Sequence, residues 1–147
     1  MTPEAALLVP VAWSVSTVFA GLSGLHVYWA VGGRRGLKGT IPELDGKPLF
    51  RPGVGVTLVV AFLLAVAGAL VLERAAVGPG IVPPTVSLWG TWGVAAALIG
   101  RAIGDFNYIG FFKRRKTTAF AGLDTRLYSP LALALGVGAG IVAWGGR

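Results

Sequence analysis

The chain has 147 residues, 54% of them hydrophobic and 13% charged, with a mean hydropathy of +0.73. A soluble fold of this size has too little interior to hide so much apolar surface, so lipid is the expected solvent. The lack of cysteine excludes disulfides, thiolate nucleophiles and cysteine-ligated metal centres, and the formal charge of +7, confined mostly to short loops between apolar runs, points to anionic lipid headgroups rather than nucleic acid.

A membrane-spanning helix needs about 20 mostly apolar residues. Four stretches qualify, at about 5–31, 53–72, 85–112 and 127–144, so the expected fold is an all-α bundle of four transmembrane helices in one domain. Met1-Thr2-Pro3-Glu4 carries no Lys or Arg before the first apolar run, which favours a retained helix over a cleaved signal peptide. Gly32-Gly33-Arg34-Arg35-Gly36 ends that helix. In the following loop, Ile41-Pro42-Glu43-Leu44 and Lys47-Pro48-Leu49-Phe50 flank Asp45-Gly46, a dipeptide suited to a tight hairpin. The two prolines limit strand pairing, so an irregular loop fits as well. Glu73 and Arg74 close the second span and read as an outer-surface pair. Gly78-Pro79-Gly80 and Pro83-Pro84 then break the chain, and Lys113-Arg114-Arg115-Lys116 ends the third span. Ser129-Pro130 suits a helix start, with Ser as N-cap and Pro first. If the helix begins near Asp124 instead, Pro130 is placed to kink it.

Orientation follows from Lys and Arg placement. One face holds Arg34, Arg35, Lys38, Lys47, Arg51, Lys113, Arg114, Arg115, Lys116 and Arg126, and the other only Arg74 and Arg147. The first face is expected in the cytoplasm, with both termini outside, and so strong a bias disfavours dual topology. Tyr28, Trp29 and Phe112 would mark one interface and Trp89, Trp92 and Trp144 the other. Arg34, Arg35 and Lys113–Lys116 are the expected headgroup contacts. A shift of 80 residues aligns Gly24 with Gly104, Tyr28 with Tyr108 and Arg34-Arg35 with Arg114-Arg115. Shared topology explains this better than a repeat.

An ionisable side chain at a span's centre costs at least about 2.5–3.5 kcal/mol, so such groups are expected to pair inside the bundle. If the third helix runs on to Phe112, Arg101, Asp105, Tyr108 and Phe112 fall within about 60° on one face, and Arg101 and Asp105 are spaced for an ion pair. From the helical rise, Arg101 would lie about 18 Å deep, Asp105 about 12 Å and His26 about 10 Å. His26 and Asp105 would then share a level, with Tyr28, Tyr108, Asp124 and Tyr128 completing the set. This cluster reads either as a ligand pocket, with His26 proton-active and Asp105 its partner, or as charges that neutralise one another and fix helix register. Asp124 also suits a helix N-terminus as a cap. One histidine without cysteine gives no metal or haem site, and no cofactor is expected. Gly100-x-x-x-Gly104, Gly136-x-x-x-Gly140 and Ala20-x-x-x-Gly24 mark close helix packing, within the chain or in a dimer.

His26-Val27-Tyr28-Trp29, Arg101-Ala102-Ile103-Gly104-Asp105-Phe106, Gly110-Phe111-Phe112-Lys113-Arg114 and Asp124-Thr125-Arg126-Leu127-Tyr128-Ser129-Pro130 resemble, in order, the signature of a bacterial family of small multi-pass membrane proteins known only as a domain of unknown function. The resemblance covers nearly the whole chain. It implies a four-span protein of the bacterial cytoplasmic membrane and supplies no activity, substrate or cofactor. Three functions fit the residues. The first is binding or transport of a small amphiphile or lipid, which needs a cavity reaching the polar cluster. The second is an accessory subunit of a larger membrane complex, which needs an exposed Gly136–Gly140 face. The third is an intramembrane acid–base enzyme acting on an isoprenoid, sterol-like or quinone substrate, which needs His26 and Asp105 in one cavity.

Overall fold

The computed structural model describes residues 3–37, 39–44 and 47–146; Lys38, Asp45-Gly46, Arg147 and the first two residues lie outside them. The elements in order are α1 (Pro3–Ala30), β1 (Glu43–Leu44), β2 (Lys47–Pro48), α2 (Val54–Arg74), α3 (Pro84–Ile103), α4 (Ala119–Leu123), a π-helical turn (Asp124–Tyr128) and α5 (Ser129–Gly145). The last three form one continuous rod. Among the described residues four helices are long and apolar enough to cross a membrane: Leu7–Ala30, Val54–Arg74, Pro84–Ile103 and Ala119–Gly145.

The spans form a ring in the order α1, α2, α3, α5, and α1–α2 and α3–α5 are the most extensive pairings. Ala12, Val15 and Phe19 of α1 meet Ala67 and Val71 of α2, Ala95 of α3, and Leu135, Ala139 and Val142 of α5 in one core. Outside that core the helices present Val59, Phe62, Leu63, Trp89 and Trp144 to the surroundings. Only 17% of the most apolar window of α2 is buried, a surface that suits lipid and not water. Lipid offers no hydrophobic drive for helix association, so close contacts and interhelical hydrogen bonds hold the ring. Ser16 Oγ donates to the Gly68 carbonyl at 2.9 Å, Ser23 Oγ to Ala61 at 2.8 Å and Thr91 Oγ1 to Leu70 at 3.2 Å. Gly136 lets α5 approach α3: a Cβ there would lie 2.9 Å from Ile99 Cγ1 and 3.2 Å from the Ala95 carbonyl oxygen. Gly100 and Gly24 face open space instead.

Three expectations change. First, α3 ends at Ile103, not at Phe112. Gly104 turns the chain at φ 95°, and a side chain there would collide with the Ile109 carbonyl. The segment then doubles back, with Phe111 N–H donating to the Ala102 carbonyl at 2.8 Å. Second, the fourth span starts at Ala119, where Thr118 Oγ1 accepts the Ala121 N–H at 3.1 Å. Ser129 is therefore inside the helix, not its N-cap. Pro130 cannot donate to the Arg126 carbonyl and its ring crowds that carbonyl, and the widened turn at Asp124–Tyr128 accommodates both. Third, Glu73 and Arg74 do not form a surface pair. Both are buried. The Glu73 carboxylate accepts the N–H groups of Gly80 and Ile81, while Arg74 donates through Nε and Nη2 to the Ala143 carbonyl at 3.1 and 2.9 Å. The 80-residue shift pairs unlike structures, since Gly24 and Tyr28 are helical whereas Gly104 and Tyr108 belong to the fold-back loop, in keeping with the reading that disfavoured a repeat.

The hairpin does form. Glu43 pairs with Pro48 and Leu44 with Lys47, antiparallel, and Leu49 N–H donates to the Pro42 carbonyl at 2.9 Å. Gly39 sits tight against the Leu123 side chain, which sets this loop over the basic end of the bundle.

Candidate functional site

Arg101 and Asp124 come together, but not as the helix-face reading had them. Asp124 is fully buried where the π turn faces the fold-back loop. Its Oδ1 accepts from Arg101 Nη2 at 2.5 Å, and its Oδ2 from Gly110 N–H at 2.8 Å, Lys113 Nζ at 2.9 Å and Ser129 Oγ at 3.1 Å. Lys113 Nζ also donates to the Gly110 carbonyl at 2.9 Å and to Thr125 Oγ1 at 2.6 Å. At 2% exposure Lys113 is thus an internal ion-pair member and not a headgroup contact. Among the described residues Arg101 Nη1 is buried without a hydrogen-bond partner. The cluster reads as a latch that locks the 104–118 loop onto the fourth span.

Asp105 does not meet Arg101 or His26. Its Oδ1 accepts the N–H groups of Asn107, Tyr108 and Ile109 at 2.9, 2.7 and 3.0 Å, closing an Asx-type turn that holds Phe106 at a left-handed φ of 63°. Asp105 lies outside the spanning segments. Partial burial pushes its carboxyl up, the N–H groups of Ile109, Tyr108 and Asn107 together pull it down further, and the net lies below the ordinary 3.8. Tyr108 lies beneath the Arg115 guanidinium, 5.3 Å from ring centre to Cζ. Tyr128 packs against Phe120. Tyr28 covers Gly33, and its hydroxyl accepts the Arg35 N–H at 3.4 Å, so it fastens the turn after α1.

His26 belongs to a different place, a cleft of about 690 Å³ between the basic ends of α1 and α2 beneath the hairpin loop. Trp29, Ile41, Phe50, Val56 and Val60 make its apolar walls, and His26, Arg34, Glu43, Arg51 and Thr57 supply polar groups. His26 Nδ1 lies 2.8 Å from the Leu22 carbonyl oxygen. A carbonyl only accepts, so Nδ1 carries the proton and, in the neutral ring, Nε2 is left as an acceptor. The imidazole stands edge-on to Trp29 at 5.0 Å, and Trp29 Nε1 donates to the Arg35 carbonyl at 2.9 Å, which fixes that wall. A second cavity of about 410 Å³ lies beside the hairpin and is lined by Glu43, Leu44, Arg114, Arg115, Lys116 and the start of α4. Asp105 lines neither cavity.

Residues 19–139 match the family described as "Protein of unknown function (DUF3995)". The chain belongs to that family. The match takes in His26, Arg101, Lys113, Asp124 and every residue lining the two cavities, so both lie within the DUF3995 region. Neither a curated protein nor a solved structure matches the chain.

Sequence reasoning passed over Trp29, Phe50, Arg51, Val56, Thr57 and Val60 as cleft residues. Thr57 carried a signal, being the sole hydroxyl in the apolar run of α2. Gly104 and Gly110 carried another. Each has a left-handed φ, and glycines bracketing Asp105-Phe106-Asn107 mark a helix stop followed by a turn.

Proposed function

We propose that this chain is a multi-pass protein of the bacterial cytoplasmic membrane that holds a single-chain amphiphile in the His26 cleft, with the basic end in the cytoplasm. The observation that carries this is the cleft itself, since about 690 Å³ with apolar walls is within the range that small-molecule sites occupy. The chain of the ligand lies along Val56, Val60, Trp29 and Phe50. The polar part of the ligand next to its chain meets His26 at the rim of the cleft. His26 Nε2 accepts a hydrogen bond there, so a hydroxyl or similar donor near the head suits the site.

The competing readings lose their motives. An accessory subunit docking through Gly136–Gly140 needs that face exposed, and Gly136 is packed on Ile99 and Ala95. Acid–base catalysis by His26 with Asp105 needs one cavity for both, and Asp105 is engaged with its own loop.

Native mass spectrometry of gently extracted protein tests the proposal. Wild type is expected to retain a specific amphiphile. Val60→Trp, which fills the cleft, is expected to lose it, and His26→Ala to weaken it about three- to tenfold, the worth of one hydrogen bond. Asp105→Asn serves as a control that keeps it. Bare wild-type protein, or lipid held equally by folded wild type and Val60→Trp, would count decisively against a cleft ligand.

A further inference from the structure

Glu43 borders both cavities, so the hairpin is the shared wall between an apolar cleft and a cationic chamber. Arg114, Arg115, Lys116, Thr117 and Thr118 line that chamber. Among the described residues the ion pairs are Arg101–Asp124 and Lys113–Asp124, so the three chamber cations are left without an ion-pair partner. Among the described residues Glu43 is the one acidic residue lining it, against three cations, leaving an excess of positive charge there. Two threonine hydroxyls add donors. Arg115 is held in place over the Tyr108 ring, which limits the freedom its guanidinium loses when an anion arrives. Cations and hydroxyl donors around one open cavity recognise phosphate in preference to a neutral head, because charge-assisted hydrogen bonds are about twice as strong as neutral ones.

Resting on the cleft assignment above, we propose that the ligand is a phosphate-bearing amphiphile whose chain occupies the His26 cleft and whose phosphate crosses the hairpin wall into the Arg114–Arg115–Lys116 chamber. Glu43 then acts as the selector. Its carboxylate repels an entering dianion, and only a ligand whose chain is already seated gains enough to pass it.

The test uses the full chain in nanodiscs of zwitterionic lipid, with oleoyl lysophosphatidic acid, monooleoylglycerol and inorganic phosphate as probes. The wild type is expected to bind the lysophosphatidic acid about tenfold or more tightly than monooleoylglycerol, the ratio one charge-assisted contact supplies. Combining Arg114→Gln with Lys116→Gln should erase that preference while leaving monooleoylglycerol binding unchanged. These side chains are exposed, so the fold is expected to persist. Glu43→Gln should tighten lysophosphatidic acid severalfold more than it changes monooleoylglycerol, because Glu43 borders the cleft that both lipids share. Equal binding of the two lipids by wild type, with Val60→Trp still abolishing both, overturns the phosphate chamber and keeps the cleft. A preference that survives the double substitution overturns it too, assigning the head to Arg34 and Arg51. Inorganic phosphate bound as tightly as the lysolipid, with the same variant dependence, makes the chamber a site for soluble phosphate and overturns the shared ligand. If neither lipid binds, both assignments fall.

Discussion

Asp124 gathers four donors on two oxygens at zero exposure, and two of those donors are cations from different segments. Removing the carboxylate strands Lys113, itself 2% exposed, with no counter-charge. Asp124→Ala is therefore expected to cost about 3–5 kcal/mol, the usual result of leaving a buried charge unpaired. Lys113→Met should cost clearly less, because Arg101 still neutralises the carboxylate. Unfolding midpoints in detergent compare the two, and equal losses would show that the latch does not work through charge. Hydropathy was enough to single out Arg101, since an ionised group in an apolar run needs a partner, whereas Asp124 joined the set only by its place at the inner end of the fourth span. The partner itself was not legible. Lys113 opens a run of four cations that look alike in sequence, and only the fold-back loop turns one of them inward while the other three stay exposed.

At the scale of elements, the segment from Gly104 to Thr118 decides the geometry of the basic end. A helix continuing to Phe112 would have carried Asp105 inward. Instead Asp105 stabilises a turn by accepting three backbone N–H groups. Its carboxyl is held below the ordinary 3.8, so the ionised form is the one the fold favours. That contribution is fully present above the ordinary carboxylate value and is lost as pH falls through the lowered one. Amide exchange at Asn107, Tyr108 and Ile109 is the direct readout. Protection there should hold at neutral pH, fall in strong acid after allowing for intrinsic exchange, and be absent at neutral pH in Asp105→Ala. Protection unchanged in that variant would mean that the glycines alone shape the turn. Span number and rough position followed from apolar runs, because lipid imposes length and hydropathy together. The ends did not, because apolar residues such as Ile109, Phe111 and Phe112 continue past the true helix stop and mask it. The fourth span shows the converse. Its first turns, from Ala119, carry Asp124 and Arg126 and read as loop until the latch compensates the charge.

For the whole molecule, the arrangement separates two tasks that the sequence reading had merged. The Arg101–Lys113–Asp124 latch fastens α3, the loop and the fourth span, while the His26 cleft opens between α1 and α2 under the hairpin. His26 was legible as the one histidine in an apolar span. Its setting was not, since the cleft walls come from a loop and from α2, far along the chain. Photo-crosslinking in reconstituted membranes tests the cleft most directly, using a lysophospholipid with a diazirine on its acyl chain. The label is expected to concentrate on peptides carrying Trp29, Val56 and Val60, and to fall sharply in Val60→Trp. Label spread evenly over the outward faces, with Val59, Phe62, Leu63 and Trp89 marked as strongly as Val60 and no change in Val60→Trp, would contradict a cleft ligand and leave only bulk lipid around the bundle.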